Sequence, residues 1–184
     1  MDALLARTSR LRYSVSATTR SPREGEIEGQ HYFFLTEEEF ERRRDAEEFL
    51  EWRIYNGNLY GTPRDYVERT IAEGYDVIMK PEVNGALAVQ AAYPAAVLIF
   101  LVPDRFSYLR ERLLTRRTET NEEIAQRLEI AHQEMQFIRS FDYIVVNEQH
   151  RAEEAVDDLA AVLQAERFRI HRWGEERLRS VEHT

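Results

Sequence analysis

"YDVIMKPEVNGALAVQAAYPAAVLIFLV", residues 75–102, is the stretch on which the fold turns. It opens on one apolar run, YDVIM (75–79), and closes on another, VLIFLV (97–102). Continuous apolar runs of this length are the pattern of strands buried on both faces. Between them NGALAVQAAY (84–93) suits a crossover helix, so the stretch predicts a parallel strand–helix–strand unit. YIVV (143–146) is a third buried run, and long helices fill 106–115, 121–139 and 151–166. Thr120 and Glu123 have the spacing that caps the second of these helices. The fold expected is α/β, with three layers around a parallel sheet.

Upstream the pattern is mixed. Residues 2–7 read as the end of a helix, RYSVS (12–16) as a short strand and HYFFL (31–35) as another. Thr36 with Glu39 forms a capping box that opens a helix to about Asp45. FLEWRIYNGNLYG (49–61) reads as two strands around an Asn-Gly turn. Thr62-Pro63 then starts a helix to about Glu73, with Pro in the first turn and Gly74 past the end. Residues 31–73 are therefore expected to form a small mixed insert in a single domain spanning 1–184. The tail, RFRIHRWGEERLRSVEHT (167–184), is expected to be partly disordered.

A chain of 184 residues can bury a sizeable core, and an apolar fraction of 43% excludes a disordered composition. No run approaches the roughly 18 apolar residues of a membrane span. The first residues, MDALLARTSRLR, read as amphipathic helix rather than secretory signal. Without cysteine there is no disulfide and no thiolate metal site, and the five histidines show no metal spacing. A soluble, cytoplasmic protein without a metal site of its own is expected. The net charge of −9 argues against nucleic acid or an acidic membrane as partner. Lys80 is the only lysine among the 25 basic residues, so any chemistry that needs one has a single candidate.

SVSATTRSPREGE (14–26) places Arg20 and Arg23 in one polar loop beside the hydroxyls of Ser16, Thr18 and Thr19. Two permanently charged forks suit a phosphate; solvated loop charge is the alternative. The longer run SVSATTRSPREGEIEGQHYFF, then EFLEW, NLYGTP, VNGALAV, RERLLTRRTETNEEIAQRL and FDYIVVN, closely resembles guanylate kinases over about residues 10–165. The resemblance implies a fold of the P-loop monophosphate kinase type, with a GMP-binding insert and a lid with its following helix at 105–139. It implies transfer of the γ-phosphate of ATP to GMP, with Mg²⁺ delivered on ATP, in purine nucleotide metabolism.

By the same resemblance, GMP is held by Ser16, Arg20, Arg23, Tyr32, Glu51, Tyr60, Thr62 and Glu82. Glu51 is the residue expected to read the base. A carboxylate only accepts, and guanine offers two adjacent donors, N1–H and the 2-amino group. Thr62 would meet guanine O6. Arg112, Arg116 and Arg127 fall on the lid arginines that approach the transferring phosphoryl group, where charge stabilisation is most of the catalysis. Asn147 falls near the adenine pocket, with a simple turn residue as the alternative.

The chain also departs from the family. No G-x-x-x-x-G-K occurs, so the P-loop and the strand before it, the sheet's central strand, are expected to be missing. Residues 1–7 resemble the middle of the helix after a P-loop, which would make Met1 an internal methionine. Lys80 stands where many relatives carry an acid, Glu82 where many carry Asp, and Arg117 replaces a usual glycine. The chain by itself is expected to be inactive. The competing reading is a guanylate kinase-like binding module for GMP or a phosphorylated peptide, which would have no use for Glu51 with Thr62 or for the lid arginines.

Overall fold

The computed structural model describes residues 1–116, 121–172, 174 and 179, without the side chains of 110, 112, 113, 115, 116, 121–123 and 171. The expected Thr120–Glu123 cap and most of the tail beyond 172 lie outside the described residues. The chain begins with helix α1 (Asp2–Arg7) and divides into two compact units. One comprises Ser9–Leu98, the other Met1–Thr8 with Ile99–Thr184.

In the 9–98 unit the predicted strand at 12–16 splits in two. Strand β1 (Leu11–Tyr13) and β2 (Ala17–Thr18) join different sheets. The Ser14 N–H still bonds the Ile78 carbonyl at 3.0 Å, whereas two residues on Ser16 C=O already accepts from Phe33 N–H at 2.9 Å. The remaining elements are β3 (Phe33–Phe34), α2 (Glu37–Asp45), β4 (Phe49–Tyr55), β5 (Asn58–Pro63), α3 (Arg64–Ala72), β6 (Asp76–Ile78) and α4 (Val83–Ala92). β1 pairs in parallel with β6, and a mixed sheet has the order β3-β2-β5-β4.

Local signals place most of these boundaries. Thr36 Oγ1 accepts from Glu39 N–H at 3.1 Å, as the capping box requires. Asn56 and Gly57 have φ of 48° and 74°, the left-handed pair that a two-residue hairpin demands. Pro63 sits at the N-cap of α3, one position before the first-turn place expected for it, because it still closes β5.

The decisive local feature of the mixed sheet is a register slip. Phe49 pairs with Pro63 but Glu51 with Thr62, so a bulge falls at Leu50. Residues two apart on a regular strand share a face. The bulge breaks that rule, and bulges re-aim side chains in this way. Phe49 turns to the Gly61 side and packs with Ala17, Phe40 and Leu59. The rings of Phe40 and Phe49 stack with centroids 4.4 Å apart. Glu51 is released to the opposite face. Leu50 itself closes a second cluster with Val67 on α3 and Val89 on α4.

In the other unit β7 (Ile99–Pro103) pairs in parallel with β8 (Tyr143–Asn147). Helices α5 (Phe106–Arg116), α6 (Asn121–Glu134) and α7 (Ala152–Glu166) complete it. The helix expected over 121–139 ends at Glu134 and continues as a 3₁₀ segment, Met135–Ser140. Arg7 on α1 pairs with Glu153 and Asp157 on α7. Glu166 is buried, and burial alone would push its carboxyl up. The Tyr143 hydroxyl at 2.6 Å, Arg169 and Arg172 outweigh that and hold it below the ordinary carboxylate range.

The class is mixed α/β, but the parallel strands pair differently from the single sheet expected. They form two separate two-stranded ladders, and no further described strand pairs with either. Each of these strands therefore has one ladder partner among the described residues. Among the described residues no helix is long and apolar enough to cross a membrane.

Candidate active site

The face that Glu51 turns to collects polar groups from adjacent strands. On β4 the alternation places Glu51, Arg53 and Tyr55 together, and on β5 their partners in register are Thr62, Tyr60 and Asn58. Thr62 is buried, and its hydroxyl donates to Glu51 Oε1 at 2.6 Å. The other carboxylate oxygen lies against Gly85 in the first turn of α4. A Cβ there would come within 2.8 Å of Glu51 Oε2. Glycine thus lets the helix backbone close on the carboxylate.

β4 is an edge strand, and a cleft of about 460 Å³ opens between it and the start of α4, lined by Glu51, Arg53, Glu82, Asn84 and Gly85 among others. Glu82, the N-cap residue of α4, forms an ion pair with Arg53. Lys80 is exposed beyond the end of β6.

Arg20 belongs to the same face. It follows Thr18, which pairs with Tyr60. Its guanidinium carbon stands 5.5 Å from the Tyr32 ring centroid, close enough for a cation–π contact. The Tyr32 and Tyr60 rings meet edge to face with centroids 6.0 Å apart. Glu26 takes the other side of the Arg20 fork, at 2.8 and 3.0 Å from Nη2. The Arg20 side chain, then the Arg23 backbone N–H, hold the Glu26 carboxyl below its ordinary value. Arg23 reaches this cluster through its backbone N–H, at 2.7 Å from Glu26; the residue itself is exposed. Ser16 is half-buried, between β1 and β2.

The structure therefore brings Arg20, Tyr32, Glu51, Tyr60, Thr62 and Glu82 onto one surface of the 9–98 unit. Ser16 and Arg23 belong to the same unit, and Arg112, Arg116, Arg127 and Asn147 belong to the other. Arg127 is half-buried on α6, and Asn147 ends β8 opposite Pro103. Arg112 and Arg116 lie on α5, and their side chains are outside the described residues. Sequence reasoning missed Glu26, Arg53 and Gly85. Arg53 had a signal, since it lies two residues beyond Glu51 on an alternating strand.

A family model described as guanylate kinase matches residues 1–166. The chain belongs to the guanylate kinase family. These proteins are nucleoside monophosphate kinases. A guanylate kinase of Halalkalibacterium halodurans is 44% identical over 171 residues, covering 93% of this chain and 83% of that protein. One of Symbiobacterium thermophilum is 46% identical over 172 residues, with 94% and 81% covered. The crystal structure of guanylate kinase from Anaplasma phagocytophilum superposes with a TM-score of 0.75 at 30% identity, over 92% of this chain and 80% of that one.

Proposed function

We propose that this guanylate kinase family member takes GMP as phosphoryl acceptor and ATP as donor, with the 9–98 unit holding the acceptor. The observation that carries this reading is the Glu51 carboxylate, fixed by Thr62 and set in the cleft against Gly85. One Thr62 bond leaves a carboxylate with free acceptor positions for both guanine donors. Adenine presents an acceptor at N1 and would face Glu51 lone pair to lone pair, the kind of mismatch that discriminates strongly. The Thr62 hydrogen is already used on Glu51, so its donation to guanine O6 would require that bond to open. Arg20 and Arg23, with Tyr32, Tyr60 and Ser16, suit the phosphate, and Glu82 completes the set.

For Arg112, Arg116 and Arg127 we propose charge stabilisation during transfer, and for Asn147 a place at the adenine. Mg²⁺ would enter with ATP as part of the donor substrate. Among the described residues no cluster of three acidic, histidine or cysteine side chains could hold a metal ion. No Gly-rich loop ending in Gly-Lys occurs in these 184 residues. We therefore propose that they bind GMP selectively but by themselves transfer phosphate negligibly, because fixing the donor phosphates is most of this catalysis. The missing central strand belongs to the same proposal. Supporting it, the parallel strands stand in two-stranded ladders.

Calorimetric titration with GMP, AMP and guanosine tests the reading. GMP should bind well above AMP, and Glu51→Gln should erase most of the difference. Arg20→Ala should weaken GMP about 10- to 150-fold, the worth of a charge-assisted hydrogen bond of about 1.5–3 kcal/mol, and leave guanosine nearly unchanged. Equal affinity for GMP and AMP would sink the base-reading role. Binding of a phosphorylated peptide in place of either nucleotide would favour the binding-module reading.

A further inference from the structure

Arg53 is a cation in the acceptor cleft that no family motif accounts for. It stands on the Glu51 face of β4, opposite Tyr60 in register. Its guanidinium carbon is 5.7 Å from the Tyr55 ring centroid and 6.0 Å from that of Tyr60, and it pairs with Glu82 on α4. The pair thus ties the edge strand to the helix across the wall of the cleft. Its side chains are 31% and 40% exposed, and ion pairs so placed contribute little to stability.

What the pair can do is electrostatic and geometric. Glu82 is an anion facing a cleft that we read as the site of a dianionic ligand, in a chain whose net charge is already −9. Left alone, its carboxylate would repel the phosphate and be free to swing about the N-terminus of α4. Paired with Arg53, it is neutralised and aimed.

We propose that Arg53 is a positioning residue of the acceptor site, acting on nucleotide affinity through Glu82. The inference rests on the GMP reading above. A double-mutant cycle in GMP affinity, measured by calorimetry, tests it, because residues that act through one another are non-additive. Arg53→Ala should weaken GMP about tenfold in the parent chain and less than twofold in a Glu82→Gln background. Arg53→Lys keeps the charge and should recover affinity to within about threefold of the parent. Thermal unfolding of each variant separates loss of affinity from loss of fold, and the Lys variant keeps the test open if the Ala variant fails to fold.

A tenfold loss in both backgrounds would overturn the proposal, since Arg53 would then touch the nucleotide itself. So would an Arg53→Ala variant, or a folded Arg53→Lys one with the Ala variant unfolded, whose GMP affinity does not follow this pattern. If the parent chain binds GMP no better than AMP, the GMP reading falls first and this inference with it. If the parent discriminates and Arg53→Ala binds like the parent, only this inference falls.

Discussion

The mixed sheet of the 9–98 unit and the β7–β8 ladder of the other unit are both rich in apolar side chains, yet they bury them differently. In the mixed sheet one face is closed at its centre, where Ala17, Phe40, Phe49 and Leu59 are all buried in one cluster, while Trp52 and Ile54 on the edge strand stay exposed. The opposite face carries the polar row from Arg20 to Glu51. In the ladder, Leu101 is 52% exposed, Ile144 54% and Val146 40%. These are residues of the runs whose composition predicts burial on both faces. A sheet with one apolar face needs one covering layer, whereas a strand apolar on both faces needs two and a partner on each edge. Among the described residues the first condition is met at the centre of the mixed sheet, and the second is not met in the ladder.

The largest effect expected from this difference is at Phe40, which is 0% exposed and stacks on Phe49. Phe40→Ala should cost about 3–5 kcal/mol by urea denaturation, through lost burial and the cavity left behind. A cost under about 1 kcal/mol would mean that this cluster does not hold the sheet, and the contrast with the ladder would fail.

Next comes Gly61, on the same closed face. A Cβ there would stand 3.0 Å from both Phe40 Cζ and Phe49 Cδ1, between two rings that cannot both give way. Gly61→Ala should destabilise by about 1–3 kcal/mol, the usual range for overpacking. Gly57→Ala is the control. It has φ of +74° and open space around it, so it reports backbone strain without a clash. If both variants lose the same amount, crowding at Gly61 is not the cause.

Much of the closed region was legible along the chain, and the reason is locality. The Thr36–Glu39 cap and the Asn56-Gly57 turn are decided by residues within four positions of one another. Glu51 and Thr62 were named through the resemblance to guanylate kinases, and the hairpin at Asn56-Gly57 sets them opposite each other. The bulge at Leu50 was not, because it arises from Phe49 being drawn to Phe40 while Leu50 packs on α3 and α4. Arg53 with Glu82 was hidden for the same reason, since the two meet only when α4 lies along β4. The split of 12–16 escaped as well: RYSVS has a strand's composition throughout, and nothing local shows that its two ends serve different sheets. In the other unit the helices were read nearly to the residue, apart from the 3₁₀ end of α6. How its strands pair depends on partners, which composition does not reveal.

On the polar face a smaller effect is expected from Glu26. Its carboxyl is held below the ordinary value of 4.5 by the Arg20 side chain first and the Arg23 N–H second. A depressed folded value means that the unfolded chain takes up the proton first as pH falls. The contribution is therefore complete above about pH 4.5 and is lost as pH drops through the folded value. Glu39 behaves alike, with its carboxyl lowered to about 2 by Arg42 and then Arg43. Glu26→Gln should flatten part of the acid limb of a stability–pH profile, leaving the Glu39 part. An unchanged limb would show that the Arg20–Glu26 contact is not held in solution.

The smallest effect is expected on the ladder itself. Ile144→Thr keeps the branch at Cβ, and so the preference for extended backbone, while replacing a methyl-bearing arm with a hydroxyl. At a side chain more than half exposed, the new polar atom meets water and little apolar area is lost. Urea denaturation should place the change within about 0.5 kcal/mol, as for other surface substitutions. The same substitution at Val145, which is buried on the neighbouring position of β8, should cost clearly more, because there the hydroxyl would lie among apolar groups without water. A cost of about 2 kcal/mol or more at Ile144 would mean that its face is covered in solution. Repeating the measurement at tenfold different protein concentration then separates the two ways of covering it. A midpoint that moves with concentration identifies a second copy as the cover, and one that stays fixed places the cover within the chain.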